Sequence, residues 1–96
     1  MAIDVRAMFE AHADEYLKFE DVEQKLSTRP DLHAFIKLNR MVPGTSDIVA
    51  AAGHDEIYLD VEIDALATVA TEADIVELAR CGVLYDSSTD GLAMFV

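Results

Sequence analysis

Glu56-Ile57-Tyr58-Leu59-Asp60-Val61-Glu62-Ile63-Asp64 alternates without a fault: Ile57, Leu59, Val61 and Ile63 are apolar, and the residues between them are polar or acidic. Period two is the repeat of an extended chain whose successive side chains point to opposite faces, so the stretch predicts a half-buried strand over about 56–63. Its outward row is Glu56, Tyr58, Asp60, Glu62 and Asp64, with His54-Asp55 just upstream. Such a strand needs sheet partners, and the last fifteen residues offer them. Val83-Leu84-Tyr85 and Leu92 to Val96 flank the polar tract Asp86-Ser87-Ser88-Thr89-Asp90-Gly91, which reads as a hairpin with strands over about 83–86 and 91–96. The final strand is apolar on both faces and therefore belongs inside the sheet. Placed between the other two, it gives a three-stranded sheet of split β-α-β connectivity, with the helix region 65–81 joining 56–63 to 83–86.

The flanking segments read as helices that cover this sheet, making the fold class α+β. Residues 3–26 hold no Gly or Pro and place Val5, Met8, Phe9, His12, Tyr16, Phe19, Val22 and Leu26 at helical spacing, which predicts one long amphipathic helix. Ser27-Thr28-Arg29-Pro30-Asp31 then supplies cap hydroxyls, a first-turn proline and an acid where the helix dipole favours one, so a second helix is expected over about 30–41. Its apolar face would be Leu32, Phe35 and Ile36, with His33, Lys37 and Arg40 on the polar side. Pro43-Gly44 stops it. Thr45-Ser46-Asp47 suggests a capped helical turn over 48–52. Within 65–81, Asp64 can cap one stretch, and Thr71-Glu72-Ala73-Asp74 has the spacing that caps another.

Ninety-six residues, half of them apolar, are enough for one compact domain over 1–96 and too few for two. No apolar run exceeds five residues, far short of a membrane span, and no secretory leader is visible at the N-terminus. With Cys81 as the single cysteine, a disulfide framework and a multi-cysteine zinc site are excluded and a reducing, cytoplasmic setting is expected.

Charge is the strongest compositional signal. Nineteen acids against seven Lys and Arg give a formal charge of −12. Residues 25–40 are locally basic, whereas from 41 onward Arg80 stands alone against eleven acids. A field of that sign repels nucleic-acid phosphate and attracts basic proteins, so direct DNA or RNA binding is disfavoured.

The side chains that could carry chemistry do not assemble into a known pattern. Asp86 to Gly91 copies the first half of a calcium loop but lacks its closing bidentate acid, and a polar hairpin turn explains the same residues. Asp60, Glu62 and Asp64 on one strand face would diverge into water unless a second element supplied further ligands, so no metal site is assigned. His12 reads as a core or interface residue. His33 and His54 lack the i, i+4 partner of a helical zinc pair. Cys81 follows Arg80 at a helix C-terminus, where the dipole opposes a thiolate. The four glycines stand singly, so there is neither a phosphate-cradling loop nor a nucleophile elbow.

The sequence therefore points away from an enzyme and towards an acidic protein-interaction module. It would dock on a basic protein surface through Asp55, Glu56, Tyr58, Asp60, Glu62 and Asp64, without cofactor or metal, in the manner of a nucleic-acid mimic. Two alternatives stand beside it. One is a homodimer paired through the N-terminal helix, and the other is a metal-dependent enzyme using the strand carboxylates.

Overall fold

Residues 2–95 are described by a computed structural model. In chain order these are α1 (Val5–Ala11), short 3-10 turns at Ala13–Glu15 and Phe19–Asp21, α2 (Pro30–Met41), β1 (Val49–Gly53) and β2 (Glu56–Leu59). Next come α3 (Ile63–Val69), α4 (Glu72–Arg80), β3 (Val83–Asp86) and β4 (Gly91–Phe95). The class is α+β: four α-helices and a four-stranded antiparallel sheet in the order β1-β2-β4-β3. No helix among the described residues is long and apolar enough to cross a membrane.

The expected three-stranded split β-α-β sheet is corrected by β1, an edge strand where a helical turn over 48–52 was expected. Alanine favours helix in isolation, but Val49–Gly53 closes a hairpin on β2 through a two-residue turn, with His54 at φ 23°. Sheet pairing overrides the local preference there. Val96, the last residue of the expected final strand, lies outside the described residues.

The strand expected over 56–63 ends at Leu59. The Val61 N–H donates to the Leu59 carbonyl at 3.0 Å, turning the chain, and α3 begins at Ile63. Leu59, Val61 and Ile63 are all buried, so the alternation marks which residues enter the core, but they enter from a strand, a turn and a helix in succession. From Ile63 the spacing of buried residues becomes helical, through Leu66 to Ala70. The region 65–81 holds two helices separated at Ala70 and Thr71. Thr71 and Asp74 form a reciprocal capping box that starts α4.

The expected helix over 3–26 is interrupted at Ala11, after about two turns. Twenty-four helical residues would run roughly 36 Å, which exceeds the longest dimension of the molecule, 31 Å. About one turn of it would then project past the rest of the molecule. Instead the chain wraps the C-terminal end of α4. Leu17, at φ 64°, donates its N–H to the Ala79 carbonyl at 3.1 Å, and Arg80 reaches the Glu15 carboxylate at 3.1 Å and the Asp21 carbonyl at 3.2 Å. Gly82 closes α4 at φ 94°, a conformation that suits glycine, and an added Cβ would meet Leu17 Cδ2 at 2.9 Å.

The core gathers Val5 and Phe9 of α1, Ala34 and Leu38 of α2, Ile63 and Leu66 of α3, Ile75, Leu78 and Ala79 of α4, and Leu59, Val83, Leu92 and Met94 of the sheet. Strand register puts Ile57, Leu59, Val83, Tyr85, Leu92 and Met94 on the core side. Glu56, Tyr58, Leu84, Ala93 and Phe95 are on the other.

Candidate functional site

The six residues singled out in the sequence are spread over three consecutive pieces of chain. Asp55 is in the β1–β2 turn, Glu56 and Tyr58 are on β2, and Asp60, Glu62 and Asp64 lie on the exit from β2 and in the first turn of α3. Glu62 is the N-cap of α3, and Asp64 stands where a helix N-terminus favours a negative charge. Asp55, Asp60, Glu62 and Asp64 are exposed, and Glu56 and Tyr58 are half-buried. The structure brings Glu56 and Tyr58 together: the Tyr58 hydroxyl donates to Glu56 Oε1 at 2.9 Å. That bond to an anion holds the phenol above its ordinary pKa, as does the charge of Glu56, with smaller additions from Asp86 and Asp55. Asp86, on β3, joins this surface only through folding, and nothing in the local sequence marks it.

No ion pair among the described residues reaches Asp55, Asp60, Glu62 or Asp64. Three of the seven Lys and Arg side chains, and two histidines, are engaged with other acids. Arg6 forms a two-point pair with Asp90 at 2.7 and 2.8 Å, which is the main reason the Asp90 carboxyl is pulled down to about 2, with the Tyr85 hydroxyl second. His12 meets Glu72 at 2.7 Å, and Arg80 meets Glu15.

The densest polar network joins α2 to α4, and here the reading of α2 is corrected. His33, expected on the polar face, is fully buried, while Leu32 and Ile36 of the expected apolar face are 45% and 36% exposed. The helix is rotated because α4 presents carboxylates to it. The Leu26 N–H donates to His33 Nδ1 at 2.9 Å, so Nε2 carries the proton and donates to Glu77 Oε2 at 2.6 Å. Lys37 reaches Asp74 at 2.8 Å and Glu77 at 3.4 Å. Burial by itself would lower the Lys37 pKa and raise that of Asp74. Burial is the largest single influence on each, but the bonds and charges of Asp74 and Glu77 together outweigh it at Lys37, which is raised, and those of Lys37 and Thr71 together outweigh it at Asp74, which is lowered. Part of the basic stripe of residues 29–40 is thus consumed within the chain.

Burial pushes the Cys81 thiol up to about 12, with the Glu77 charge acting in the same direction, so this sulfur is no nucleophile near neutrality. Among the described residues, no three His, Cys, Asp or Glu side chains converge as metal ligands. Asp86 accepts from Ser88 and Thr89 in its own turn, which lowers its pKa. Val5, Phe9 and Val22 of the N-terminal stripe are largely buried in the chain's own core.

A wide concavity among the described residues escaped the sequence reading. It is a groove of about 820 Å³ between α1 and β3, with Ala7, Phe9, Glu10 and Ala13 on the helix side and Val83, Leu84, Tyr85 and Phe95 on the sheet side. Residues from both faces of β3 line it, and β3 is an edge strand, so the groove runs along the strand's open edge. A second cavity, beside Asp60 and Val61, is only about 30 Å³ and could hold no more than a water. In comparison with known proteins, the chain matches no protein-family model, no curated protein and no solved structure.

Proposed function

We propose that the chain is a non-enzymatic protein-interaction module that docks on a basic protein surface through Asp55, Asp60, Glu62 and Asp64, with Glu56 and Tyr58 alongside. One observation carries the reading: these four exposed carboxylates have no cationic partner among the described residues, although Arg6, Lys37 and Arg80 each hold an acid elsewhere. Fixed carboxylates left in water lose little on docking until a complementary cation displaces that water, and they raise the encounter rate with a basic patch. A net charge of −12 extends the same attraction over the whole molecule. The partner is a protein whose basic surface ordinarily meets phosphate, and the module competes with nucleic acid for it.

Affinity capture from cell extract with the full chain as bait, at low and high salt, tests this. The expected result is a basic partner retained at low salt and released at high salt, because ionic screening shortens the reach of exposed charges to about 10 Å at 0.1 M. Retention that is indifferent to salt would overturn it.

A further inference from the structure

We infer that the groove between α1 and β3 is a binding site for an extended basic peptide segment, which adds to the sheet as a fifth strand beside β3. The inference rests on the proposed function only for the sign of the partner's charge, since this groove is distinct from the carboxylates of residues 55–64.

Three observations meet here. First, β3 ends the sheet, and no backbone hydrogen bond from Val83, Leu84 or Tyr85 to anything outside the sheet is present among the described residues. An antiparallel strand directs alternate N–H and C=O pairs to either side, so the pairs on the outer side of β3 point into the groove without a partner. Such an edge is a template for main-chain pairing.

Second, the groove has walls suited to alternating side chains. Phe9, Ala13 and Val83 line the side under α1, while Leu84 and Phe95 lie on the opposite sheet face, where Phe95 is 57% exposed. A strand laid along β3 would point every second residue towards α1 and the others towards Phe95. The other sheet edge differs. Exposed Ala50, Ala51 and Ala52 of β1 offer little side-chain surface, and the pairing there is irregular between Val49 and Ala51.

Third, the charge of the groove selects the occupant. Glu10 is exposed with no ion-pair partner among the described residues, Asp4 caps α1, and the one base among the described lining residues, Arg6, is taken by Asp90. A lysine or arginine in the incoming strand is complementary to Glu10. A second copy of the chain would instead bring −12 against −12.

The full-length protein, isotopically labelled, should be titrated with the synthetic peptide Lys-Val-Lys-Val-Lys-Val-Lys and with Lys-Pro-Lys-Pro-Lys-Pro-Lys. The second has the same charge but lacks half of the N–H donors that a ladder needs. The first is expected to shift the Leu84 and Tyr85 amides and to slow exchange in β3, and to bind about tenfold more tightly than the second. Ala7→Trp, which fills the groove from an exposed position, should weaken it by about tenfold, and Glu10→Lys by a smaller factor. Circular dichroism establishes that both variants remain folded. Equal affinity for the two peptides, shifts confined to residues 55–64, or unaltered binding by Ala7→Trp would each overturn the inference. Light scattering that shows a dimer abolished by Ala7→Trp would also overturn it, by making a second copy the occupant. Failure of the groove in these experiments leaves the docking face standing, because that face is tested separately by salt-sensitive capture of its partner.

Discussion

Two acidic stretches of this chain are treated in opposite ways. In α4, Glu72, Asp74 and Glu77 each meet a basic side chain: His12, Lys37, and His33 with Lys37. In the stretch from the β1–β2 turn into α3, Asp55, Asp60, Glu62 and Asp64 meet none among the described residues. The first set ties helices together, since its bonds bring α1 and α2 onto α4. The second contributes little to the fold beyond solubility and a favourable charge at the start of α3. Similar residue types therefore do different work depending on whether the fold delivers a cation, and only carboxylates left without one are available to a partner.

The sharpest way to break the comparison is Glu77→Ala. His33 and Lys37 would lose an acceptor in a largely water-excluded setting, and denaturant unfolding should show a loss of about 2–3 kcal/mol. Glu77→Gln keeps an acceptor for His33 and should cost less. Acid gives a second handle. Because the Asp74 pKa is depressed, the stability it contributes is complete above its ordinary value of 3.8 and drains as pH falls through the depressed value. The raised Lys37 pKa makes its contribution complete below 10.5, with loss only as pH rises through the raised value. Lys37→Met should therefore flatten the decline of stability below pH 3.8, measured by thermal unfolding across an acid series.

Thr71→Ala removes one half of the capping box that starts α4 and should cost about 1 kcal/mol in the same denaturant assay. At the small end, Asp60→Asn, Glu62→Gln and Asp64→Asn together should cost no more than about 1 kcal/mol, the favourable charge at the start of α3, because no intramolecular bond of these side chains is lost. A large loss there would show that the carboxylates are structural and would erase the contrast.

How much of this was visible beforehand depends on whether the deciding contact was local. Pro30 at the start of α2, Thr71 with Asp74 at the start of α4, and the polar turn between β3 and β4 act within a few residues and are legible as sequence. The break after α1 was not, because it is imposed by the α4 end: Ala79, Arg80 and Leu17 meet across some sixty residues. The burial of His33 likewise depends on Glu77, forty-four positions away. In the alternating stretch, the sequence marks which of Leu59, Val61 and Ile63 go inward but not the turn at Asp60, since period two and a strand-to-helix corner bury the same three residues. The exposure of Asp55, Asp60, Glu62 and Asp64 was readable from polarity. The groove along β3 was not: an edge position for 83–86 followed from placing the final strand in the middle, but the groove also needs α1 to stop at Ala11 and lie beside that edge.

The docking face is tested most directly by the salt dependence of affinity for the captured partner, measured with the wild-type chain and with the variant carrying Asp60→Asn, Glu62→Gln and Asp64→Asn. The account predicts that wild-type affinity falls steeply as salt rises, and that the variant binds weakly with a shallow dependence. Equal affinities and equal slopes for the two proteins would contradict it.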